Sequence, residues 1–263
     1  MSSHVDVLGS AATVVVLVMV VAWLISLATA DAGVADVAWA LGLVAIAWIS
    51  WWVGDGLADR RSLLVAMVTI WGLRLAVHLV ARSRGRPEDP RYAEMRQRSA
   101  GRFPVTSLFT VFLAKGLAMF VISLPVQLAM TPTGPEVGVA AIIGVVIWGV
   151  GLFFETVADA QLTRFRNAPD ADEPVLDWGL WRYSRHPNYF GEICIWWGLA
   201  LVAAETTDAR WTLFGPALLT LLIVRVTGIP VLERHLHSRH EGYENYTAQT
   251  SPLLPRPSKA PTP

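Results

Sequence analysis

Hydrophobic residues in this chain form long uninterrupted runs and do not alternate with polar residues. Seven of these runs approach the roughly 20 residues that a helix needs to cross the apolar layer of a bilayer. They cover about residues 8–29, 34–53, 62–81, 105–129, 137–158, 189–205 and 211–229. Because a backbone in lipid must satisfy its own hydrogen bonds, and because the runs do not alternate, we predict an all-α membrane protein. Its single domain, residues 1–250, is expected to be a bundle of seven transmembrane helices.

The connections between the predicted spans differ in their basic residues. Lys and Arg number fifteen in the segments near residue 31, at 82–104, at 159–188 and after the last span, but only three in the other set of alternate segments. Basic connections are retained on the cytoplasmic side of a membrane. We therefore predict that the N-terminus lies outside and the C-terminus in the cytoplasm.

The two ends of the chain need separate interpretation. Ala28-Thr29-Ala30 resembles a signal-peptidase site after an apolar stretch, so residues 1–30 could be a cleaved signal peptide. Residues 1–7 carry no Lys or Arg, and the apolar run is long for a signal core, which favours a retained helix. The Pro-rich residues 251–263 are predicted to be disordered.

Composition narrows the classes of function. Of the 263 residues, 54% are hydrophobic and 16% are charged, and the net charge is zero. A soluble domain carries more charge, and a nucleic-acid binder carries a basic excess, so we predict neither class. Cys194 is the single cysteine, which excludes an internal disulfide. We predict no metal site.

Several ionisable residues lie inside or at the ends of the predicted spans. They are Asp36, Arg74, His78, Lys115, Glu155, Asp159, Glu192 and Arg225. Such groups are costly in hydrocarbon, so each is expected to be paired, to reach the membrane surface, or to line a wet cavity. Lys115 could simply contact a carbonyl, and His78 could extend toward the cytoplasm.

Glu155 and Asp159 are four residues apart, so they share one helix face near the cytoplasmic end of the fifth predicted span. Two carboxylates at a helix C-terminus oppose the helix dipole and repel each other. Arg164 and Arg166 could neutralise them. The ribose hydroxyls or the amide of a cofactor are the alternative partners.

The segment Gly179-Leu180-Trp181-Arg182-Tyr183-Ser184-Arg185-His186-Pro187-Asn188-Tyr189-Phe190-Gly191-Glu192 is the richest in polar chemistry. Since Pro187 disfavours a helical His186, we predict that a helix begins at Asn188 as its N-cap. A helix N-terminus beside two arginines and a histidine favours an anion such as pyrophosphate. Binding of anionic lipid heads would also explain the arginines, but not Asn188 and Glu192 one turn apart.

This segment resembles the C-terminal signature of the steroid 5-alpha-reductase-like membrane family. Its Arg-His-Pro-Asn-Tyr core is also similar to that of sterol C14/C7 reductases and, more loosely, of isoprenylcysteine methyltransferases. Further blocks are similar to the bacterial branch of the family, a domain of unknown function. They are Asp36-Val37-Ala38-Trp39, Trp71-Gly72-Leu73-Arg74, Arg84 to Tyr92, Ala158 to Leu162 and Gly228 to Glu233.

The resemblance implies a seven-helix reductase of a bacterial inner (plasma) membrane. Such an enzyme binds NADPH from the cytoplasm and reduces a C=C bond conjugated to a carbonyl in a lipid or steroid-like substrate from the bilayer. By match to the family's motifs, the residues implied to contact the cofactor are Arg74, Arg86, Asp159, Arg166, Asn188 and Glu192. Those implied to complete its phosphate and ribose end are Arg182, Tyr183, Arg185, His186 and Tyr189. Arginines suit a 2′-phosphate, which favours NADPH over NADH.

The chain departs from the family where the substrate carbonyl is polarised. The family's tyrosine, three residues before the arginine that matches Arg74, is Trp71 here, and an indole N–H cannot deliver a proton. We expect Asp36 to be the donor if burial keeps it protonated. Tyr92 and Tyr183 are further candidates, so the predicted catalytic residues are Asp36, Trp71 and Tyr92.

Two other functions stay open. An S-adenosylmethionine-dependent methyltransferase would share the core around His186 and Asn188, but it would have no need of Arg74, Arg86 and Arg166 because its cofactor carries no phosphate. A lipid-binding or transport protein could instead use the buried charges as a relay. The basic cytoplasmic segments and the lack of visible inverted repeats count against that function.

Overall fold

The computed structural model describes residues 4–56, 58–130, 137–167, 175–205, 209–237 and 243–258, and these residues are helical with no strand. The α-helices among them are α1 His4–Thr29, α2 Val34–Val53, α3 Ala58–Ser83, α4 Pro90–Arg98, α5 Phe103–Ser107, α6 Ala114–Ile122, α7 Leu124–Leu128, α8 Val139–Asn167, α9 Pro187–Ala203, α10 Ala209–Thr212, α11 Phe214–Leu221, α12 Ile229–His237 and α13 Tyr243–Gln249. Two π-helical turns, Leu108–Leu113 and Leu222–Val226, and one 3₁₀ turn, Gly179–Arg182, interrupt the series. The predicted all-α class is confirmed.

Six helical stretches in the described residues are long and apolar enough to cross a membrane. They are His4–Thr29, Val34–Val53, Ala58–Ser83, Phe103–Ile122, Val139–Asn167 and Phe214–Arg234. They correspond to the first five predicted spans and the seventh. The sixth predicted span is α9, which has 17 residues. That helix is shorter than the roughly 20 residues of a typical transmembrane helix.

Some boundaries differ from the predicted ones for local reasons. α8 continues to Asn167, so Glu155 and Asp159 lie inside a helix and not at its C-terminus. α9 begins at Pro187, because proline suits the first helical position, where no N–H is needed. Asn188 is therefore not the N-cap. The carbonyl of His186 accepts the first helical hydrogen bond, from the N–H of Phe190 at 3.0 Å.

The chain divides into two units, which we describe separately. The first unit contains residues 1–142 and 199–215, and the second contains residues 143–198 and 216–263. In the first unit, α2 packs against both α1 and α3. Small residues permit the close approach, since a side chain on Gly72 of α3 would meet the backbone of Ala40 of α2, and one on Gly42 of α2 would meet Val18 of α1.

Connections in the first unit contact one another in two groups. Glu88 accepts a 2.8 Å hydrogen bond from the N–H of Ala32, which joins the α3–α4 segment to the α1–α2 turn. A separate group joins Gly56 to Met130, through a 2.8 Å backbone hydrogen bond, and Glu205 to the N–H of Gly138 at 2.8 Å. No connection belongs to both groups in these described contacts. The groups match the two sets that differ in Lys and Arg content.

The second unit is built on a close glycine-mediated contact between α8 and α9. A Cβ on Gly151 would lie 2.6 Å from the carbonyl oxygen of Gly191, and a Cβ on Gly198 would lie 2.6 Å from that of Gly144. Two pairs spaced seven residues apart therefore let the two backbones touch. This contact places the polar residues of α8 next to the beginning of α9.

Residues 251–258 differ from the predicted disorder. The N–H of Arg185 donates to the carbonyl of Ser251 at 2.8 Å, and the N–H of Arg256 donates to that of Tyr183 at 2.9 Å. The hydroxyl of Ser184 donates to the carbonyl of Leu253 at 2.7 Å. Backbone partners hold these eight residues despite their prolines. Residues 259–263 lie outside the described residues.

Candidate functional site

A cluster of ionisable side chains in the first unit surrounds Asp36, in the first turn of α2. The hydroxyl of Tyr92, on α4, donates to Oδ1 of Asp36 at 2.9 Å. The ammonium of Lys115, on α6, forms an ion pair with the same oxygen. Arg91 approaches Oδ2 at 3.4 Å. Two helices that are distant in sequence from α2 thus supply donors to one carboxylate, and we call these four residues the Asp36 cluster.

The position of Lys115 follows from an irregularity in the chain. The π-helical turn Leu108–Leu113 ends two residues before Lys115. A π turn holds one residue more than an α turn, so it rotates every later side chain by about 100° around the helix axis. The same rotation applies to Gly116, whose missing side chain admits Met19 of α1. Such irregular turns are frequent at functional sites.

Asp36 does not have the environment expected of a protonated donor. Its carboxylate accepts hydrogen bonds from a phenol and an ammonium and lies close to a guanidinium. Two nearby cations act against the protonated form of Asp36 that was expected from burial. Lys115, which the sequence allowed to be a lone lysine against a carbonyl, is instead the partner of Asp36.

Tyr92 has the protonation state of a hydrogen-bond donor. Its side chain is 6% exposed, and burial raises the pKa of its phenol to about 12, although Lys115 and Arg91 act in the opposite direction. The phenol therefore stays neutral at physiological pH and retains the proton that it shares with Asp36. A neutral donor beside an ammonium can stabilise a developing oxyanion.

Two carboxylates hold α4 in position beside α2. Asp89 caps α4 by accepting from the N–H of Arg91 at 3.0 Å, and it also accepts from the guanidinium of Arg91. Burial opposes ionisation, but the hydrogen bond and charge of Arg91 lower the pKa of Asp89 below its usual value. Glu88 accepts two hydrogen bonds from Arg96, at 2.8 and 3.0 Å. Arg96 in turn donates to the carbonyl of Ala30 at 3.1 Å.

The other predicted residues of the first unit lie on α3 and in the connection that follows it. Trp71 is completely buried in α3, one turn before the half-buried Arg74. Arg86 is exposed in the connection that follows α3. The structure therefore brings Asp36 and Tyr92 together, and it adds Lys115 and Arg91, which the sequence did not select.

In the second unit, the contact between α8 and α9 gathers acidic and amide groups. Glu155 and Asp159 are 4% and 6% exposed, and the amide of Asn188 donates to Oδ1 of Asp159 at 3.4 Å. Glu192, half-buried, follows one turn after Asn188 on α9. Carboxylate and amide oxygens accept hydrogen bonds, so this face suits hydroxyl or amide groups better than phosphate.

The segment before α9 is shaped by interactions with α8. Gly179 has a φ of 63°, which favours glycine, and a Cβ there would collide with Gln161. Gln161 accepts from the N–H of Leu180 at 3.0 Å, and the indole of Trp181 donates to the carbonyl of Ala158 at 3.1 Å. These contacts fix the start of the segment. Their residues coincide with the Ala158–Leu162 and 179–192 blocks of the sequence.

Some of the predicted anion-binding residues are exposed to solvent, and others contact protein groups. Arg182, Tyr183 and Arg166 are exposed. Arg185 instead pairs with Glu233 of α12 at 2.7 Å, and Nε2 of the buried His186 lies 3.2 Å from the same carboxylate oxygen. Tyr189 stacks on His186 with ring centroids 5.5 Å apart. The sequence did not identify Glu233 as the partner, although it lies in the similar block from Gly228 to Glu233.

A family model described as "Protein of unknown function (DUF1295)" matches residues 22–250 of the chain. An uncharacterized protein of Schizosaccharomyces pombe is 24% identical over 264 residues, which cover 90% of this chain and 76% of that protein. The 3-oxo-5-alpha-steroid 4-dehydrogenase 1 of Rattus norvegicus is 28% identical over 112 residues, 43% of this chain and 40% of that enzyme. No solved structure matches the chain significantly. The predicted resemblance to the steroid 5-alpha-reductase-like family is confirmed.

Proposed function

Because the chain belongs to the DUF1295 family, which is steroid 5-alpha-reductase-like, we propose that it is an NADPH-dependent oxidoreductase of the membrane. The reaction is the reduction of a C=C bond conjugated to a carbonyl. The substrate is a lipid or a steroid-like molecule that enters from the bilayer. The name of the rat relative, a 3-oxo-steroid 4-dehydrogenase, supports this class of chemistry.

The Asp36 cluster is the observation that carries the proposal. It combines a neutral phenol, an ammonium and a carboxylate at the end of apolar helices, where isolated charges are costly. Reduction of an enone needs a donor at the carbonyl oxygen, because negative charge develops there as the β-carbon is reduced. Tyr92 and Lys115 supply such a donor pair, and Asp36 orients both.

The roles of these side chains follow from their contacts. The hydroxyl of Tyr92 turns from Oδ1 of Asp36 to the substrate oxygen and donates its proton there as the enolate forms. Lys115 stabilises the resulting phenolate and returns a proton to it. The side chain of Lys115 is 29% exposed, and in this proposal its proton is restored from water that enters the site. Trp71, whose indole can only donate a hydrogen bond, contributes at most to the shape of the site.

The chain's side chains fit a nicotinamide dinucleotide, which supplies the hydride when it is bound. Asp159, Asn188 and Glu192 offer acceptors for hydroxyl and amide groups. Nδ1 of His186 is buried without a hydrogen-bond partner in the described residues, as expected of an atom that a ligand satisfies. We assign the phosphates of NADPH to four of the five arginines of the predicted set, Arg74, Arg86, Arg166 and Arg182. The fifth, Arg185, pairs with Glu233.

Tyr183 and Tyr189 complete the proposed cofactor residues. Their aromatic faces suit stacking against a ribose or a base, and Tyr183 is 46% exposed. In this proposal the cofactor residues face the cytoplasm of a bacterial cell, α9 is the sixth of seven spans, and the N-terminus lies outside. The two groups of contacting connections in the first unit support the alternation of sides, and the basic residues supply the direction.

The experiment is binding and turnover with detergent-purified protein. NADPH should raise the melting temperature more than NADH does, and S-adenosylmethionine should have no effect. Asn188→Ala and Arg166→Ala should weaken the effect of NADPH. With NADPH and a 3-oxo-4-ene steroid or an α,β-unsaturated acyl ester as probe, Tyr92→Phe should lower turnover by about 100-fold or more, because general acids contribute that much.

Arg98→Ala is the matched control on α4, since Arg98 is 82% exposed and pairs only with Glu94 in the described residues. It should leave binding and turnover unchanged. A folded protein that NADPH does not stabilise would contradict the reductase. Stabilisation by S-adenosylmethionine would instead favour the methyltransferase.

A further inference from the structure

Arg185 is the most completely engaged cation of the second unit in the described residues. Its Nε and Nη2 both lie 2.7 Å from Oε1 of Glu233. Its Nη1 donates to two carbonyls, of Thr247 at 2.9 Å and of Thr250 at 3.1 Å. The side chain is only 10% exposed. The guanidinium thus joins the segment before α9 to α12 and to the end of α13.

These contacts determine what Arg185 can still bind. A guanidinium has five N–H donors, and binding a phosphate through a fork needs two of them on one side. Nε and both hydrogens of Nη1 have protein acceptors, and Nη2 faces Glu233. No forked pair is left for a phosphate. Arg182, three residues earlier, is exposed.

The two carbonyls that accept from Arg185 belong to one segment near the end of the chain. Residues 243–256, which we call the C-terminal strap, run along the segment from Trp181 to His186. The hydroxyl of Tyr246 donates to the carbonyl of Trp181 at 2.5 Å. Backbone hydrogen bonds join Arg185 to Ser251 and Arg256 to Tyr183. The strap therefore contacts the segment before α9 over its whole length.

The carbonyls that Arg185 contacts lie at the C-terminal end of α13. The last carbonyls of a helix lack intrahelical partners and carry partial negative charge, so a cation there stabilises the helix. A backbone carbonyl cannot turn away as a side chain can. The strap, Glu233 and Arg185 thus brace one another without any ligand.

We infer that Glu233, Arg185 and the C-terminal strap form a brace that positions the start of α9, and that Arg185 acts on the cofactor only through this brace. The inference rests on the proposed function for the identity of the ligand. Asn188 follows Arg185 by three residues and bonds to Asp159. Loss of the brace displaces Asn188, and this displacement weakens the binding of any cofactor that Asn188 contacts. Arg185 is thus a positioning residue and not a phosphate ligand.

The test compares the affinities of NADPH and NADH, which differ only in the 2′-phosphate. Arg185→Lys and Glu233→Gln should each lower the affinities for NADPH and for NADH by about tenfold, so that the ratio of the two affinities is unchanged. Arg182→Ala should weaken NADPH more than NADH. Glu244→Gln, an exposed carboxylate on α13, is the matched control and should change neither affinity. A preferential loss of NADPH in Arg185→Lys would overturn the inference, as would normal affinities in Glu233→Gln.

Hydrogen–deuterium exchange without nucleotide tests the brace independently of the proposed function. Glu233→Gln should accelerate exchange of the amides of Arg185 and Phe190, whose hydrogen bonds depend on the braced segment. Glu244→Gln should not. Unchanged exchange in Glu233→Gln overturns the brace even if NADPH binds. Wild-type protein that is braced but binds neither nucleotide overturns the proposed function instead.

Discussion

The Asp36 cluster and the Arg185 brace are built from the same kinds of side chain but differ in what their donors contact. In each, one carboxylate oxygen is shared by two donor side chains. In the Asp36 cluster all the contacts of this carboxylate are with side chains on other helices. In the brace the guanidinium also bonds to two backbone carbonyls. Side chains can exchange partners by rotation, whereas backbone acceptors hold a donor in place.

This difference separates a reactive site from a structural one. A phenol that is hydrogen bonded to a carboxylate can transfer its bond to a substrate oxygen at modest cost, because Lys115 continues to neutralise Asp36. A guanidinium bonded to backbone carbonyls has no comparable exchange. Buried ionisable residues are therefore not equivalent candidates for chemistry. The atoms that accept their hydrogen bonds distinguish them.

The largest expected effect is the loss of one member of the Asp36–Lys115 pair. Asp36→Asn should lower the free energy of unfolding by about 3 kcal/mol, because the ammonium then lacks its partner in an apolar setting. Asp36→Asn with Lys115→Met should recover most of that stability. Chemical unfolding of the purified protein measures both. If the double variant were no more stable than the single one, the ion pair would not be the source of the loss.

The second prediction concerns the rigidity of the segment before α9. Gly179→Ala should lower the free energy of unfolding by about 2 kcal/mol, since φ is positive and Gln161 must give up its hydrogen bond to Leu180. Gly101 is the matched control, because it also has a positive φ but no atom within 4 Å of an added Cβ. Gly101→Ala should cost about 1 kcal/mol, the conformational term alone. Equal costs would show that the Gln161 contact is unimportant.

The smallest effect is a pH dependence at Glu88, in the connection just before α4. Burial acts to raise the pKa of Glu88 in the folded protein, but hydrogen bonds from Arg96 and Ala32 outweigh burial and lower this pKa. A lowered folded-state pKa adds stability above the unfolded value of 4.5, and that stability is lost as pH falls through the folded value. Glu88→Gln should therefore lower stability by about 1 kcal/mol at pH 7 and by progressively less as the pH falls below 4.5.

Thermal unfolding of the wild type and of Glu88→Gln across this pH range measures the effect. Glu94→Gln, on the adjacent α4, is the control, because Glu94 is 53% exposed and makes one 3.4 Å contact with Arg98. The wild type and the Glu94→Gln protein should behave alike. A constant difference between the wild type and Glu88→Gln at all pH values would show that charge is not involved.

Much of the fold could be predicted from the sequence because its strongest signals are local. An apolar run commits a segment to the membrane through the sum of about 20 small transfer terms, so single errors matter little. Six of the seven predicted spans correspond to helices of sufficient length and apolar character. The interruption of the fourth span was not predicted. It depends on the π turn at Leu108–Leu113 and on the break at Ser123, and hydropathy is insensitive to both.

The polar sites were predicted less completely. Motif similarity selected Asp36, Tyr92, Asp159 and Asn188, and the structure pairs Asp36 with Tyr92 and Asp159 with Asn188. It could not select Lys115, whose neighbours in the sequence are apolar. For Arg185 the error is the reverse: its motif indicated a phosphate ligand, but its contacts are with protein. In both cases the partner lies more than 40 residues away.

The sequence by itself determined which segments are apolar helices, which connections are basic, and which family the chain resembles, because each of these is a property of consecutive residues. Only the tertiary structure decided which charges meet. That outcome depends on how each helix is rotated about its axis, and one extra residue in a turn changes the rotation by about 100°. Lys115 contacts Asp36, and Arg185 contacts Glu233, for reasons that lie in the packing of distant helices and not in the residues beside them.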